Sequence, residues 1–339
     1  QHRLQAVAIT ENKKNHIDLA AILKRDGVVL NRLSADAWFI GSDAEQQLKE
    51  KIERIGKPLK NWDVNIYRGI LTGLNEAFII DSDKRQEILD NCLDEDERRR
   101  TEAIIKPILR GRDIKRYYYK WAGLWVIFIP WHFPLHNDTS IQGASEKAEN
   151  EFIRQYPSVY NHLLNYKESL SKRNKEETGI RYEWYALQRC AATYYPEFEK
   201  EKVVYGQFQD KAEYAIAGKG VFLSSNEYMI GGNYNKNYFL AILNSKLIQW
   251  YLRNITGVMG EKLKIGQKSN FIKIPIPTID ISNQSIVSQI EALVDTILAE
   301  KKENPKANTI AWENEIDRLV YQLYELTDEE IEIIEKNNT

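Results

Sequence analysis

The period of the apolar residues switches along the chain, and that switching limits what it can fold into. From Trp62 onward, apolar residues fall in short β-type runs at Ala77–Ile80, Leu124–Pro130, Lys202–Tyr205, Tyr214–Ile216 and Val221–Leu223. A helical stretch interrupts them. There Phe152, Ile153, Tyr156, Tyr160, Leu163 and Leu164 recur at helical spacing, with Pro157 at a helix start or kink. Another helix is expected over Lys236 to Arg253, on the stripe Leu240, Leu243, Leu247 and Tyr251. Pro275 and Pro277 then impose an extended segment.

After those prolines the period is helical. Ile286, Ile290, Leu293, Val294 and Ile297 form one stripe, and Ile316, Leu319, Val320 and Leu323 a second. Thr327 with Glu330 matches a capping box that opens a short last helix. Ahead of Trp62, Ser42 to Ile55 reads as a capped helix stopped by Gly56 and Pro58. The expected class is therefore α/β of the α+β kind: small twisted mixed sheets flanked by helices, with an internal helical segment and a C-terminal helical spacer. The expected parts are a lead-in over 1–60, a body over 61–282 and a spacer over 283–339.

A length of 339 residues exceeds the usual single core, which agrees with several parts. Apolar runs such as Leu124–Ile129 are far too short to cross a bilayer, so no membrane partner is expected. Two cysteines, Cys92 and Cys190, give no disulfide framework and point to a reducing cytoplasm. The chain opens on Gln1 and its first methionine is Met229, so it reads as a piece of a longer protein.

Net charge is −2, but it is unevenly spread. Residues 291–339 carry 13 acidic and 5 basic side chains, a net of −8, which leaves +6 on residues 1–290. An acidic tail thus masks a mildly basic body.

Several chemistries have no foothold in the sequence. It has no Pro-Pro pair, no G-x-G-x-x-G after a strand and no G-x-x-x-x-G-K loop, so no methyltransferase or nucleotide motif is present. His132 and His136 stand four apart, but Pro134 between them argues against a zinc-binding helix. Asp113-Ile114-Lys115 resembles the end of a nuclease motif without an upstream partner, and Cys190 has no base near it. No catalytic, cofactor or metal residue is expected in this chain.

Three constellations remain. Arg110, Arg112, Lys115, Arg116 and Lys120 alternate with Tyr117, Tyr118, Tyr119 and Trp121. Guanidiniums pair with phosphates or guanine edges, and aromatics stack. The same run also fits a solvated strand edge beside core tyrosines. Gly257 to Lys273 holds Lys262, Lys264 and Lys268 in a glycine-loosened loop, suited to following a phosphate backbone or to being a surface loop. Arg181 to Tyr195 holds Arg181, Gln188 and Arg189, the residue types that read guanine and adenine; a core strand with a polar outer face explains it equally well.

Two motifs then bear a resemblance. Ile66-Tyr67-Arg68-Gly69-Ile70-Leu71-Thr72-Gly73 through Asp81, and Ile105-Lys106-Pro107-Ile108-Leu109-Arg110-Gly111-Arg112-Asp113-Ile114, resemble the hallmarks of the TaqI-like C-terminal specificity domain. Leu243 to Leu247, Ile274 to Pro277 and Ile286 to Lys301 resemble the end of a target-recognition domain and the spacer helix that follows it. The resemblance implies recognition of duplex DNA on behalf of an adenine-specific methyltransferase domain in the same parent chain. S-adenosylmethionine would then be bound by that other domain and by none of these residues. It makes 1–60 a linker from the methyltransferase, 61–282 the recognition domain and 283–339 the spacer. Gly69, Gly73 and Gly111 would serve turns of positive φ, and Asp81 and Asp113 local caps. A standalone specificity subunit and a protein-interaction module stay open as alternatives.

Overall fold

The computed structural model describes residues 4–7, 18–30, 40–209, 211, 213–255, 258–259, 262–264 and 268–336. Its centre is an antiparallel sheet of four strands, in the order Tyr214–Ala217, Lys202–Gly206, Glu227–Gly232, Val64–Arg68. Successive side chains on a strand face opposite sides, and both sides are covered here. Ile66, Val203, Tyr205, Tyr214 and Ile230 enter one core; Val204, Ala215, Ala217 and Met229 enter the other. Every residue of Lys202–Gly206 is buried, which is why Val203, Val204 and Tyr205 follow one another without a polar break.

The first core is helical. Lys236–Asn244, Lys246–Ile255, Gln284–Glu303, Ile310–Leu323 and Asp328–Lys336 bury their apolar faces there together with Asp43–Ile55. The lead-in helix is thereby tied to the tail. Lys51 Nζ donates to Glu330 at 2.6 Å, Tyr251 Oη donates to Glu53 at 2.8 Å, and Lys57–Pro58 pairs with Pro275–Ile276. This core runs across both the 60/61 and the 282/283 positions.

The second core lies between the central sheet and a mixed sheet of Phe222–Leu223, Ile105–Leu109, Trp125–Ile127 and Ile79–Ile80, whose first pair is parallel. Helices Glu146–Gln155, Pro157–Leu164 and Lys167–Ser171 close it with a cluster of rings in which Phe152 meets Phe133, Tyr160 and Tyr185.

Local signals account for most boundaries. Ser42 and Glu45 form a reciprocal capping box, as do Thr327 and Glu330, and Ser145 accepts from the Ala148 N–H. Two expectations and one alternative need correction. Only Ile79–Ile80 of the Ala77–Ile80 run is a strand, because Asn75–Phe78 forms one helical turn. The helix expected over Lys236 to Arg253 breaks at Ser245, whose extended backbone ends the first helix and whose hydroxyl accepts the Ile248 N–H of the second. The stretch Arg181 to Tyr195 is not a strand. It is a buried irregular segment, and its carbonyls find a donor in Arg173, which bonds those of Trp184 and Ala186 at 2.7 Å each. Burial pushes the Arg173 guanidinium down to about 10.

Gly69 is required for proximity and not for a positive φ. A Cβ there would stand 1.9 Å from the Ser224 carbonyl oxygen, where the chain crosses from the central sheet toward the mixed one. Gly73 does have a positive φ of 79°. Gly69→Ala is expected to lower stability by roughly 1–3 kcal/mol through overpacking. Chemical denaturation checks it, and an unchanged midpoint would show that the crossing can relax.

Candidate nucleic-acid interface

Arg68, Gly206 and Glu227 mark one end of the central sheet, where antiparallel pairing sets Arg68 opposite Tyr228 and Gly206 opposite Glu227. Four backbone segments continue side by side from this end. Leu71 and Arg189 exchange hydrogen bonds of 3.0 and 2.9 Å, the Ile70 N–H donates to the Leu223 carbonyl at 2.9 Å, and the Ser224 N–H donates to the Leu109 carbonyl at 3.0 Å. At one strand spacing per step, this run spans roughly 15 Å. It lines up Arg189, the Gly69–Thr72 crossing, the Ser224 turn and the Arg110–Asp113 turn along one edge.

The Arg110–Asp113 turn is held by its own carboxylate. Asp113, buried, accepts from the Arg110 N–H at 2.9 Å and from its guanidinium at 3.0 and 2.9 Å. Arg110 is therefore half-buried and bidentately engaged. Asp81 likewise caps Ser82–Asp90. Glu227 completes the cluster, accepting from the Gly111 N–H at 2.6 Å and from the Ser224 hydroxyl. A Cβ on Gly111 would lie 3.0 Å from the Glu227 carboxylate, so this glycine too serves close approach. Burial raises the Glu227 carboxyl from 4.5 to about 7, against the Ser224 and Gly111 hydrogen bonds and the Arg110 charge.

The basic-aromatic run divides into outward and inward parts. Arg112 and Lys120 are exposed and Lys115 is half-exposed, and among the described residues none of the three has an ion-pair partner. Ile114–Lys115 and Tyr118–Tyr119 pair as a tight hairpin with Arg116 and Tyr117 at its tip. That tip points into the protein. Tyr117 is fully buried, and Arg116 donates to Glu313 and to the Asn244 carbonyl while lying over the Tyr117 ring. The contact expected between Arg116 and DNA gives way to a tie between the hairpin and the C-terminal helices. Residue type could not show this, because the acid that takes Arg116 lies 197 residues away.

Arg181 and Arg189 are exposed, and both reach the carboxylate of Glu177. Gln188 is half-buried against Gly73. Lys268 is exposed at the start of the short helix Lys268–Phe271, whose Phe271 stacks on Tyr205 at 4.4 Å near the same end of the sheet. The strand Lys262–Lys264 pairs with Phe208–Gln209, which extends the central strand past Gly206. The side chains of Lys262 and Lys264, and Gly257, Gly260, Glu261 and Gly266 of the expected loop, lie outside the described residues.

Other candidates have internal roles. His132 meets the buried Glu183 at 3.1 Å, and no group of three metal-ligating side chains occurs among the described residues. Cys190 is buried, and burial pushes its thiol up. Among the described residues, no helix is long and apolar enough to cross a membrane.

A family model for the TaqI-like C-terminal specificity domain matches residues 106–276, just over half of the chain. The chain belongs to this family. A search of the curated proteins gave no match. Among solved structures, the type IIL restriction-modification enzyme MmeI in complex with DNA is similar at a TM-score of 0.54 and 11% identity, over 90% of this chain and 38% of that one. The type IIG restriction endonuclease BpuSI has a TM-score of 0.44 and 16% identity, over 83% of this chain and 32% of that one. The chain therefore spans well under half the length of either enzyme.

In this specificity domain the Arg110–Asp113 hallmark packs on Glu227, and the Ile66–Asp81 motif, ahead of the matched range, supplies an edge strand of the central sheet. The raised Glu227 carboxyl makes stability depend on pH. A carboxyl whose folded value exceeds its unfolded value favours the fold below the unfolded value and loses that contribution as pH rises through about 7. Glu227→Gln removes the charge; its amide oxygen can still accept from the Gly111 N–H, and its NH2 can donate to the Ser224 hydroxyl in place of accepting from it. It should flatten the fall in stability between about pH 4.5 and 7 and gain roughly 1–3 kcal/mol at pH 8. Denaturant midpoints across that range check it; a variant weaker at every pH would show that attraction to Arg110 outweighs burial.

Proposed function

We infer that this domain recognises duplex DNA for an adenine-specific methyltransferase domain of the same parent protein, with S-adenosylmethionine held by that other domain. The observation that carries the reading is the edge described above. Four hydrogen-bonded segments, together roughly 15 Å across and close to the width of a DNA major groove, carry Arg68, Arg112 and Arg189. Family membership supports the same reading, and so does a shared fold with the DNA-bound enzyme MmeI.

The cations fall into two groups. Arg112, Lys115 and Lys268, with Lys262 and Lys264 on the adjoining strand, are suited to phosphates, where charge matters more than orientation. Arg181, Gln188 and Arg189 are suited to base edges, because they are the residue types with two-point hydrogen bonding; Gln188 and Arg189 lie against Leu71–Gly73, and Arg181 shares Glu177 with Arg189. Arg110 orders the turn that carries Arg112, and Arg116 fastens the hairpin to the helices.

The chain alone should bind duplex DNA with a dissociation constant of roughly 1–100 μM at physiological salt. Arg112→Ala should reduce the slope of log affinity against log salt by about 0.9 without changing stability. Arg116→Ala should leave that slope alone and cost roughly 3 kcal/mol of stability, because Glu313 loses its charge partner and keeps only the Thr309 hydroxyl, and the Asn244 carbonyl loses its donor. Fluorescence anisotropy in a salt series, with denaturation of the same variants, separates the two. Exchanged outcomes would reverse the assignment.

A further inference from the structure

Glu177 lies beneath two arginines. Its side chain is 12% exposed, against 59% for Arg181 and 51% for Arg189. Both carboxylate oxygens are engaged. Oε1 accepts from Arg181 at 2.9 Å and Arg189 at 3.3 Å, and Oε2 accepts from Arg189 at 2.8 Å and from the Asn174 amide at 2.7 Å. Hydrogen bonding from Arg189, ahead of the charge of both arginines, holds the Glu177 carboxyl below the usual range, so it is ionised at neutral pH.

The two guanidiniums are thus oriented before any ligand arrives. Arg181 also lies over the Trp131 ring, 5.6 Å from its centre, and Arg189 bonds the Gln188 carbonyl at 3.1 Å. An arginine has five N–H donors. Arg181 uses one of them on Glu177, and Arg189 does not exhaust its own, so each keeps donors for a ligand. Ordering a free arginine on binding costs side-chain entropy, and here Glu177 has ordered both. The Arg189 backbone pairs with Leu71, which puts this fork on the edge that carries Arg68 and Arg112. The pair and Glu177 together keep one net positive charge, and the exposed neighbours Lys175 and Glu176 offset each other. That suits a polyanion.

We propose that Glu177 is a positioning residue that presents Arg189, flanked by Arg181, as a fork reading a guanine in the major groove, so that the site recognised by this domain contains at least one guanine read there. This rests on the DNA-recognition reading above and names one chemical feature of the target. Guanine offers O6 and N7 side by side in the major groove, and arginine is the side chain whose planar fork matches them; lysine offers a point charge without that geometry.

The test uses the whole chain and a pool of duplexes with a randomised core. Bound DNA is sequenced, and affinity for the unselected pool is measured across a salt series. The wild-type chain should enrich a motif containing guanine. Arg189→Lys, at an exposed side chain, should lose preference at one guanine by roughly 5- to 100-fold with an unchanged salt slope. Glu177→Gln should lose preference at the same position, and Glu177→Asp should restore part of it. Replacing that guanine with 7-deazaguanine, which lacks the N7 acceptor, should weaken the wild-type chain and leave Arg189→Lys unaffected. Retained guanine preference in both Arg189→Lys and Glu177→Gln would overturn the proposal and leave Glu177 a structural pin. A steeper salt slope in Glu177→Gln, with the motif intact, would also overturn it by making the arginines phosphate contacts. Binding of the pool without any enrichment would sink the fork while DNA binding stands. Failure of the wild-type chain to bind the pool would remove the DNA-recognition reading and this proposal with it.

Discussion

A sheet covered on both faces governs this molecule. Because the side chains of Lys202–Gly206 alternate into two separate cores, neither face of the central sheet is available to a ligand. Function is thereby displaced to strand ends and the turns between them. Even the start of the central strand is sealed. Lys202 is buried, its ammonium donates to the carbonyls of Phe198 at 2.6 Å and Gly218 at 3.1 Å, and burial pushes it down to about 7. At the opposite end Gly69 lets the chain cross where a Cβ would stand 1.9 Å from the Ser224 carbonyl oxygen. That crossing joins the two sheets through shared backbone hydrogen bonds, so the residues along it are positioned by ladders and not by loop conformation alone.

Acids in this protein act chiefly as tethers for cations. Asp113 orders Arg110, Glu177 orders Arg181 and Arg189, and Glu313 draws Arg116 inward. Part of the tail's acidity has the same use, since Glu330 holds Lys51 and Glu335 holds Lys246. The energetic weight of these pairs differs with burial. Exposed pairs such as Glu315–Arg318 contribute little because water screens them, whereas breaking a pair with a buried member strands a charge at far greater cost. The −8 of residues 291–339 is therefore partly a means of attaching the tail to the body.

Much of the fold was legible because its signals are local. Ser42, Ser145 and Thr327 are capping residues with their acceptor geometry written within three positions, and the apolar stripes of the last helices are buried as their spacing requires. The helices Ser82–Asp90 and Glu95–Ile104 escaped the apolar pattern because they are mostly charged. Asp81 and Asp94, which cap them, were the available signal. What was not legible depends on distant partners. Nothing near Arg181 to Tyr195 shows that Arg173 satisfies its carbonyls, and nothing near Arg116 points to Glu313. Gly69 was readable as a special glycine, but its reason, the Ser224 carbonyl of a turn far along the chain, was not.

On the DNA-recognition reading proposed above, the same distinction separates affinity from specificity among the basic residues. Arg112, Lys115 and Lys268 have no ion-pair partner among the described residues, so their side chains can follow a phosphate wherever it lies. A handful of such contacts suffices for weak, salt-sensitive attachment, and it carries no information about sequence. Discrimination needs donors whose directions are set beforehand, since a guanidinium that reorients freely satisfies a wrong base almost as well as the right one. The arginines that meet this condition are the ones whose charge is half-cancelled by a buried acid. Tethering sacrifices Coulomb attraction to gain direction, and on the reading proposed above a body of only +6 with its cations divided in this way would hold DNA loosely and choose among sequences with the few groups it holds rigid.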